Sequence, residues 1–188
     1  MKLYTYILLS LLLVGCDKFA SVETKISRMK EKPIILPLDS MDVWTPHERI
    51  SIDASKSKYK MIVYLDTTNC SSCALKHMFV WNDFLQYSEE HDDILDFVFI
   101  VEARRGEDKS LKDMMYMTTL KHSIYIDNNQ VFTRNNPSVP SETMFHTMLL
   151  NKNNNVILVG DPCKNEKIEK KLMQIVNERK TDRYATKK

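Results

Sequence analysis

The stretch KMIVYLDTTNCSSCALKHMFVWNDF, residues 60–84, changes its periodicity at Asn69, and that change decides the fold. Before it, Met61, Ile62, Val63, Tyr64 and Leu65 form a β-branched and aromatic run, the pattern of a strand buried on both faces. After it, Ala74, Leu75, Met78, Phe79 and Leu85 recur at helical spacing and leave Lys76, Asn82 and Asp83 for a wetter face. Cys70-Ser71-Ser72-Cys73 stands at the junction, which places the first sulfur on the opening turn of a helix. Unpaired backbone N–H groups and the helix dipole favour an anion there. A thiol at such a position is readily ionised, and the thiolate is the species that attacks disulfides or binds metals.

Working outward, a charged break at residues 89–93 separates the helix from a second continuous apolar run, residues 94–101, suited to the centre of a sheet. Strand, helix and strand then form a right-handed crossover with parallel strands. Residues 108–120 offer Leu111, Met114, Met115 and Thr118 at helical spacing. Ser123 to Ile126 and Val131-Phe132 flank the turn-rich Asp127-Asn128-Asn129-Gln130, which predicts a short hairpin or one additional strand. Residues 147–150 and 156–159 read as two strands joined by an asparagine turn, and residues 165–179 as a helix with Ile168, Leu172, Ile175 and Val176 on one face. Upstream, Pro33-Ile34-Ile35-Leu36-Pro37 predicts an edge strand or extended arm. Residues 42–52 show no clear period.

This order of elements, with the cysteine pair where the inner strand meets its helix, resembles the thioredoxin-like superfamily from about residue 33 onward. In particular it resembles the membrane-anchored redoxins of the TlpA and ResA lineage. The resemblance implies an α/β three-layer sandwich with a central mixed sheet and an N-terminal extension. It implies Cys70 as the attacking thiolate and Cys73 as the resolving thiol, with Asn69, Ser71, Ser72, His146 and Thr147 lining the site. The implied partners are protein dithiols and disulfides, and no cofactor is expected. The sequence departs from the family at several positions. Asn69 replaces the usual tryptophan, Ser71-Ser72 replaces Gly-Pro, and Tyr64 stands where typical members carry a buried acid, with Asp66 two positions later. His146 falls where the family has its cis-proline; a cis bond without proline costs roughly 3 kcal/mol, so the bond before His146 is expected to be trans.

Two other readings use the same residues. Cys70, Cys73 and His77 fall at i, i+3 and i+7, and with His146 they form an alternative metal set, as in copper-delivering relatives. The plainer expectation is that no metal binds, His77 lying on the helix surface and His146 being a hydrogen-bonded site residue. A non-catalytic binding lipoprotein with structural cysteines is the other. Cys163 either exchanges with Cys70 or is a bystander thiol, and Met114, Met115 and Met117 read as core contacts.

A chain of 188 residues accommodates one domain with an extension. Its net charge of +2 is too small for a nucleic-acid field, so no nucleic-acid partner is expected. At the amino terminus Met1-Lys2 precedes an apolar run, residues 6–14, too short to cross a bilayer comfortably. Leu13-Val14-Gly15-Cys16 then resembles a bacterial lipobox. That resemblance implies a lipoprotein signal peptide over residues 1–15, cleavage before Cys16, and acyl chains such as palmitate on the Cys16 sulfur, which anchor the protein in the cell envelope. The domain then faces the periplasm, or at least the outside of the cytoplasm, where dithiols can cycle. Residues 16–32 read as a polar tether, 33–180 as the thioredoxin-like domain and 181–188 as a basic tail.

Overall fold

The computed structural model describes residues 21–46, 57–66, 78–90, 94–103, 113 and 119–185, with residues 179–185 described by backbone alone. The inner apolar run forms β2 (Tyr59–Leu65), and the second forms β3 (Leu95–Glu102). The two are parallel, in register from Tyr59 opposite Leu95 to Leu65 opposite Val101. Every residue of β3 is buried, as a strand flanked on both edges and covered on both faces requires. Next to β3 lies β4 (Ile124–Asp127), again parallel, and outside it β1 (Asp42–Trp44) runs antiparallel. On the other side of β2, β5 (Thr147–Asn151) is antiparallel and pairs in turn with β6 (Val156–Val159). The sheet order is therefore β1-β4-β3-β2-β5-β6. The β5–β6 turn places Asn154 at φ +60°, while the Asn151 side chain accepts from the N–H groups of Asn153 and Asn155. Asparagine suits both tasks.

Successive strand residues point to opposite faces, and the two faces carry separate cores. On one, Met61, Val63, Phe97 and Phe99 meet Trp81, Leu85 of α2 (Asn82–Glu89), and Leu172 and Val176 of α4 (Glu166–Ala185). On the other, Ile62, Tyr64, Val98 and Ile100 meet Met29 of α1 (Val22–Lys30), Phe132 of α3 (Val131–Asn135) and Phe145. A mixed sheet with helices on both sides is the three-layer architecture expected from the sequence.

Several local expectations change. Residues 16–32 are not a tether throughout, because α1 forms within them: the Ser21 hydroxyl accepts from the Thr24 N–H, and Met29 is fully buried. Only Met29 and partly buried Ile26 join the core, too few apolar positions to stand out as a period. Val131 and Phe132 open a helix instead of the second half of a hairpin, leaving β4 as the additional strand. Phe79 is half exposed while Trp81 is buried, because Met78–Trp81 is a 3-10 turn whose three-residue repeat puts Met78 and Trp81 on one side. Residues 33–37 are an extended arm: Ile34 N–H donates to the Asn154 carbonyl, and Ile35 exchanges two hydrogen bonds with the Asn136 amide. The last helix runs past Arg179 to Ala185, into the stretch read as a tail. The helix expected over residues 108–120 lies almost wholly outside the described residues.

Candidate functional site

Three acids stand at the carboxyl edge of the parallel strands. Glu102 is opposite Asp127 across β3 and β4, and Asp66 directly follows Leu65, the last residue of β2 and the partner of Val101, so the three acids gather at one end of the sheet, with Glu102 on the Tyr64 hydroxyl. All three are buried. The Tyr64 hydroxyl donates to Glu102, whose other oxygen accepts from the Gln130 amide at 2.7 Å. Burial, that hydrogen bond, and the charges of Glu102, Asp66 and Asp127 push the Tyr64 phenol far above its ordinary range, so it stays a donor. Asp127 is committed to local structure: Oδ1 accepts from the N–H groups of Asn129 and Val131, and Oδ2 from Phe132, which caps α3.

The third acid, Asp66, faces His146. A 3-10 turn, Thr143–Phe145, delivers His146 to the start of β5, with its own N–H donating to the Thr143 carbonyl and its carbonyl accepting from Tyr64 N–H. Among the described residues no peptide bond is cis, in agreement with the trans bond expected here. The imidazole is buried, with its ring set edgewise at 4.9 Å from Tyr64. Nε2 lies 3.0 Å from the Pro140 carbonyl, which only accepts, so Nε2 is the donor. Nδ1 has no hydrogen-bond partner and sits 3.8 Å from Asp66 Oδ2. That separation is too long for a hydrogen bond. An entering N–H, O–H or S–H group would find two acceptors there.

Next to this pair opens a cavity of about 1060 Å³. Its described lining includes Val63, Tyr64 and Leu65 of β2, Met78 and Trp81, His146 and Thr147, Gly160 and Cys163, and Val22 and Ile26 of α1. Leu65 and Met78 flank the segment that carries the cysteine motif in the chain. Cys70 and Cys73, with Asn69, Ser71, Ser72 and His77, lie outside the described residues, as does Cys16. Of the alternative metal set only His146 is described, and among the described residues no cluster of three potential ligands occurs. Cys163 packs against the α2 side of the core, its sulfur 3.9 Å from the Val80 carbonyl. Burial, reinforced by the Asp161 carboxylate, pushes its thiol up to about 12, so it is protonated and a poor nucleophile at neutral pH.

Parallel inner strands, a closing antiparallel pair, helices on both faces and a cavity at the end of the inner strand are now assembled. The fold is thioredoxin-like. No family model and no curated protein matches the chain. Solved structures similar to it include a domain of a possible thiol-disulfide isomerase from Cytophaga hutchinsonii, at 16% identity over 66% of this chain and 79% of that one, with a TM-score of 0.43. Another is the C-terminal domain of an uncharacterized protein from Bacteroides fragilis, at 13% identity over 64% and 79%, with a TM-score of 0.44.

The sequence expects His146 and Thr147 to line the site, and both line the cavity. Glu102, which accepts from the Tyr64 hydroxyl, and Gln130, which donates to Glu102, carry no such expectation. A polar residue closing an otherwise apolar strand run was the available signal for Glu102, and Gln130 at φ +55° offered none.

Proposed function

We propose that the protein is a thiol-disulfide oxidoreductase that acts on protein dithiols and disulfides through Cys70 and Cys73. The same proposal places it in a bacterial cell envelope, anchored by acyl chains on Cys16, with the domain in the periplasm or otherwise outside the cytoplasm. One observation supports the reading above others. The Cys-x-x-Cys motif falls in the segment between Leu65 and Met78, and both of these flanking residues line the cavity that also holds His146 and Thr147.

In the reducing direction the Cys70 thiolate attacks one sulfur of a partner disulfide, which releases the other as a thiolate and leaves a mixed disulfide. The Cys73 thiolate then attacks the Cys70 sulfur and releases the second partner thiolate. The partner gains two electrons and takes up two protons, while Cys70 and Cys73 become a disulfide. The test is single-turnover exchange of the pre-reduced protein with a disulfide-bonded peptide. Exchange should be lost in Cys70→Ser and should stall at a mixed disulfide in Cys73→Ser. A wild-type rate indistinguishable from that of Cys70→Ser refutes the reading. Intact mass of the membrane-extracted protein tests the anchor, which requires diacylglyceryl on Cys16.

A further inference from the structure

Helix α1 connects the proposed anchor to the mouth of the cavity. Val22, its first residue, lines the cavity and is 42% exposed, and Ile26 lines it one turn later. The helix is fixed in place by Met29, buried in the core beside Phe145, and by Lys25, which pairs with Glu142 and lies 5.8 Å over the Phe145 ring. Glu142 and Phe145 belong to the loop that delivers His146, so the element next to the anchor also braces that loop.

The leash between lipid and domain is therefore short. A tether running to residue 32 spans about 55 Å when extended, whereas the six steps from Cys16 to Val22 span only about 20 Å. The rim of the mouth is apolar. Among the described residues, three of the six exposed large hydrophobics, Val22, Val80 and Met144, line this cavity, and a fourth, Phe79, adjoins Val80. Such a gathering marks a contact surface.

We infer that the cavity serves membrane-proximal partners: its occupant is a disulfide-bearing segment of a membrane-anchored protein, apolar beside its cysteines and held within about 20 Å of the bilayer surface. The inference rests on the oxidoreductase and anchor readings above and deepens them by naming the class of substrate. The exchange chemistry is unchanged, with two electrons passing from the Cys70 and Cys73 dithiol to the partner disulfide.

The full lipidated chain, reconstituted in vesicles and pre-reduced, tests it against three disulfide peptides. One is soluble, one is lipid-anchored through a two-residue spacer, and one is lipid-anchored through a twenty-residue polyproline spacer, about 60 Å long. The short-spacer peptide should exchange at least fivefold faster than the long-spacer peptide. Inserting fifteen Gly/Ser residues between Asp17 and Lys18 should bring that ratio close to one without changing exchange with the soluble peptide. Replacing leucines beside the anchored peptide's cysteines with aspartates should slow it severalfold. Normal exchange with the soluble peptide but no spacer preference, or a preference that the insertion leaves intact, overturns this inference alone. Equal rates for leucine and aspartate flanks overturn the apolar-segment assignment. Absence of exchange with every peptide overturns the oxidoreductase reading and this inference together.

Discussion

Truncating Met29 to alanine separates a docked strut from a loose tether. Its side chain is fully buried among Ile62, Ile34 and Phe145, on a helix of nine residues. A helix this short does not persist alone in water, so α1 exists because it docks. Large-to-small truncation of a buried methionine costs about 2–5 kcal/mol. The helix can also respond by detaching, and the loss then cannot exceed the free energy of docking. Transfer of one methionine, about 1.5–3 kcal/mol, dominates that docking because Ile26 is only partly buried. The two limits together put Met29→Ala at about 2–3 kcal/mol.

Urea denaturation of the domain from Ser21 onward is the assay. With a slope near 2 kcal/mol per molar, the midpoint should fall by about 1 M. Amide exchange should show α1 opening before the sheet, and tryptic cleavage after Arg28 and Lys30 should accelerate. A substitution in a solvated linker changes stability by less than about 0.5 kcal/mol. A midpoint within 0.2 M of wild type, with α1 amides no less protected, would therefore refute the docked helix and remove the short leash with it.

Other perturbations probe the buried acids and the cavity wall. Asp127→Asn should cost about 1.5–3 kcal/mol despite its matching shape, because one carboxylate oxygen becomes an NH₂ group facing backbone N–H donors; equal urea midpoints would count against the cap. Gly160, at φ +127°, has room for a Cβ only 3.0 Å from Ile168 Cγ1, so Gly160→Ala should lose about 1–3 kcal/mol, read as a lowered melting temperature. Cys163 keeps its proton in the fold from about pH 9, where half of the unfolded thiol has released it, up to about 12. Its raised pKa therefore contributes stability that is present below pH 9 and is lost as pH climbs toward 12. Alkylation of Cys163 at pH 8.5, followed by mass mapping, should be at least tenfold slower in native protein than in urea, and equal rates would contradict its raised pKa.

The parts of the fold that the sequence disclosed are those whose signal is local. β2, β3 and β5 are apolar runs that two-sided burial demands, β6 is a shorter apolar run at the sheet edge, and α4 repeats its apolar face at Leu172 and Val176. Helix α1 stayed hidden because one fully buried methionine holds it, and α3 because its cap comes from Asp127, which reads equally well as a turn residue. The expectation placed on the cysteine motif comes from four residues that lie outside the described ones, whereas the grouping of the acids exists only through register. Glu102 and Asp127 are far apart in the chain and become neighbours because β3 and β4 pair there, with Asp66 just past the end of β2. That register also gives Tyr64 its acceptor: the Tyr64 hydroxyl donates to Glu102 of the adjacent strand, so a buried carboxylate and its donor come from two different strands.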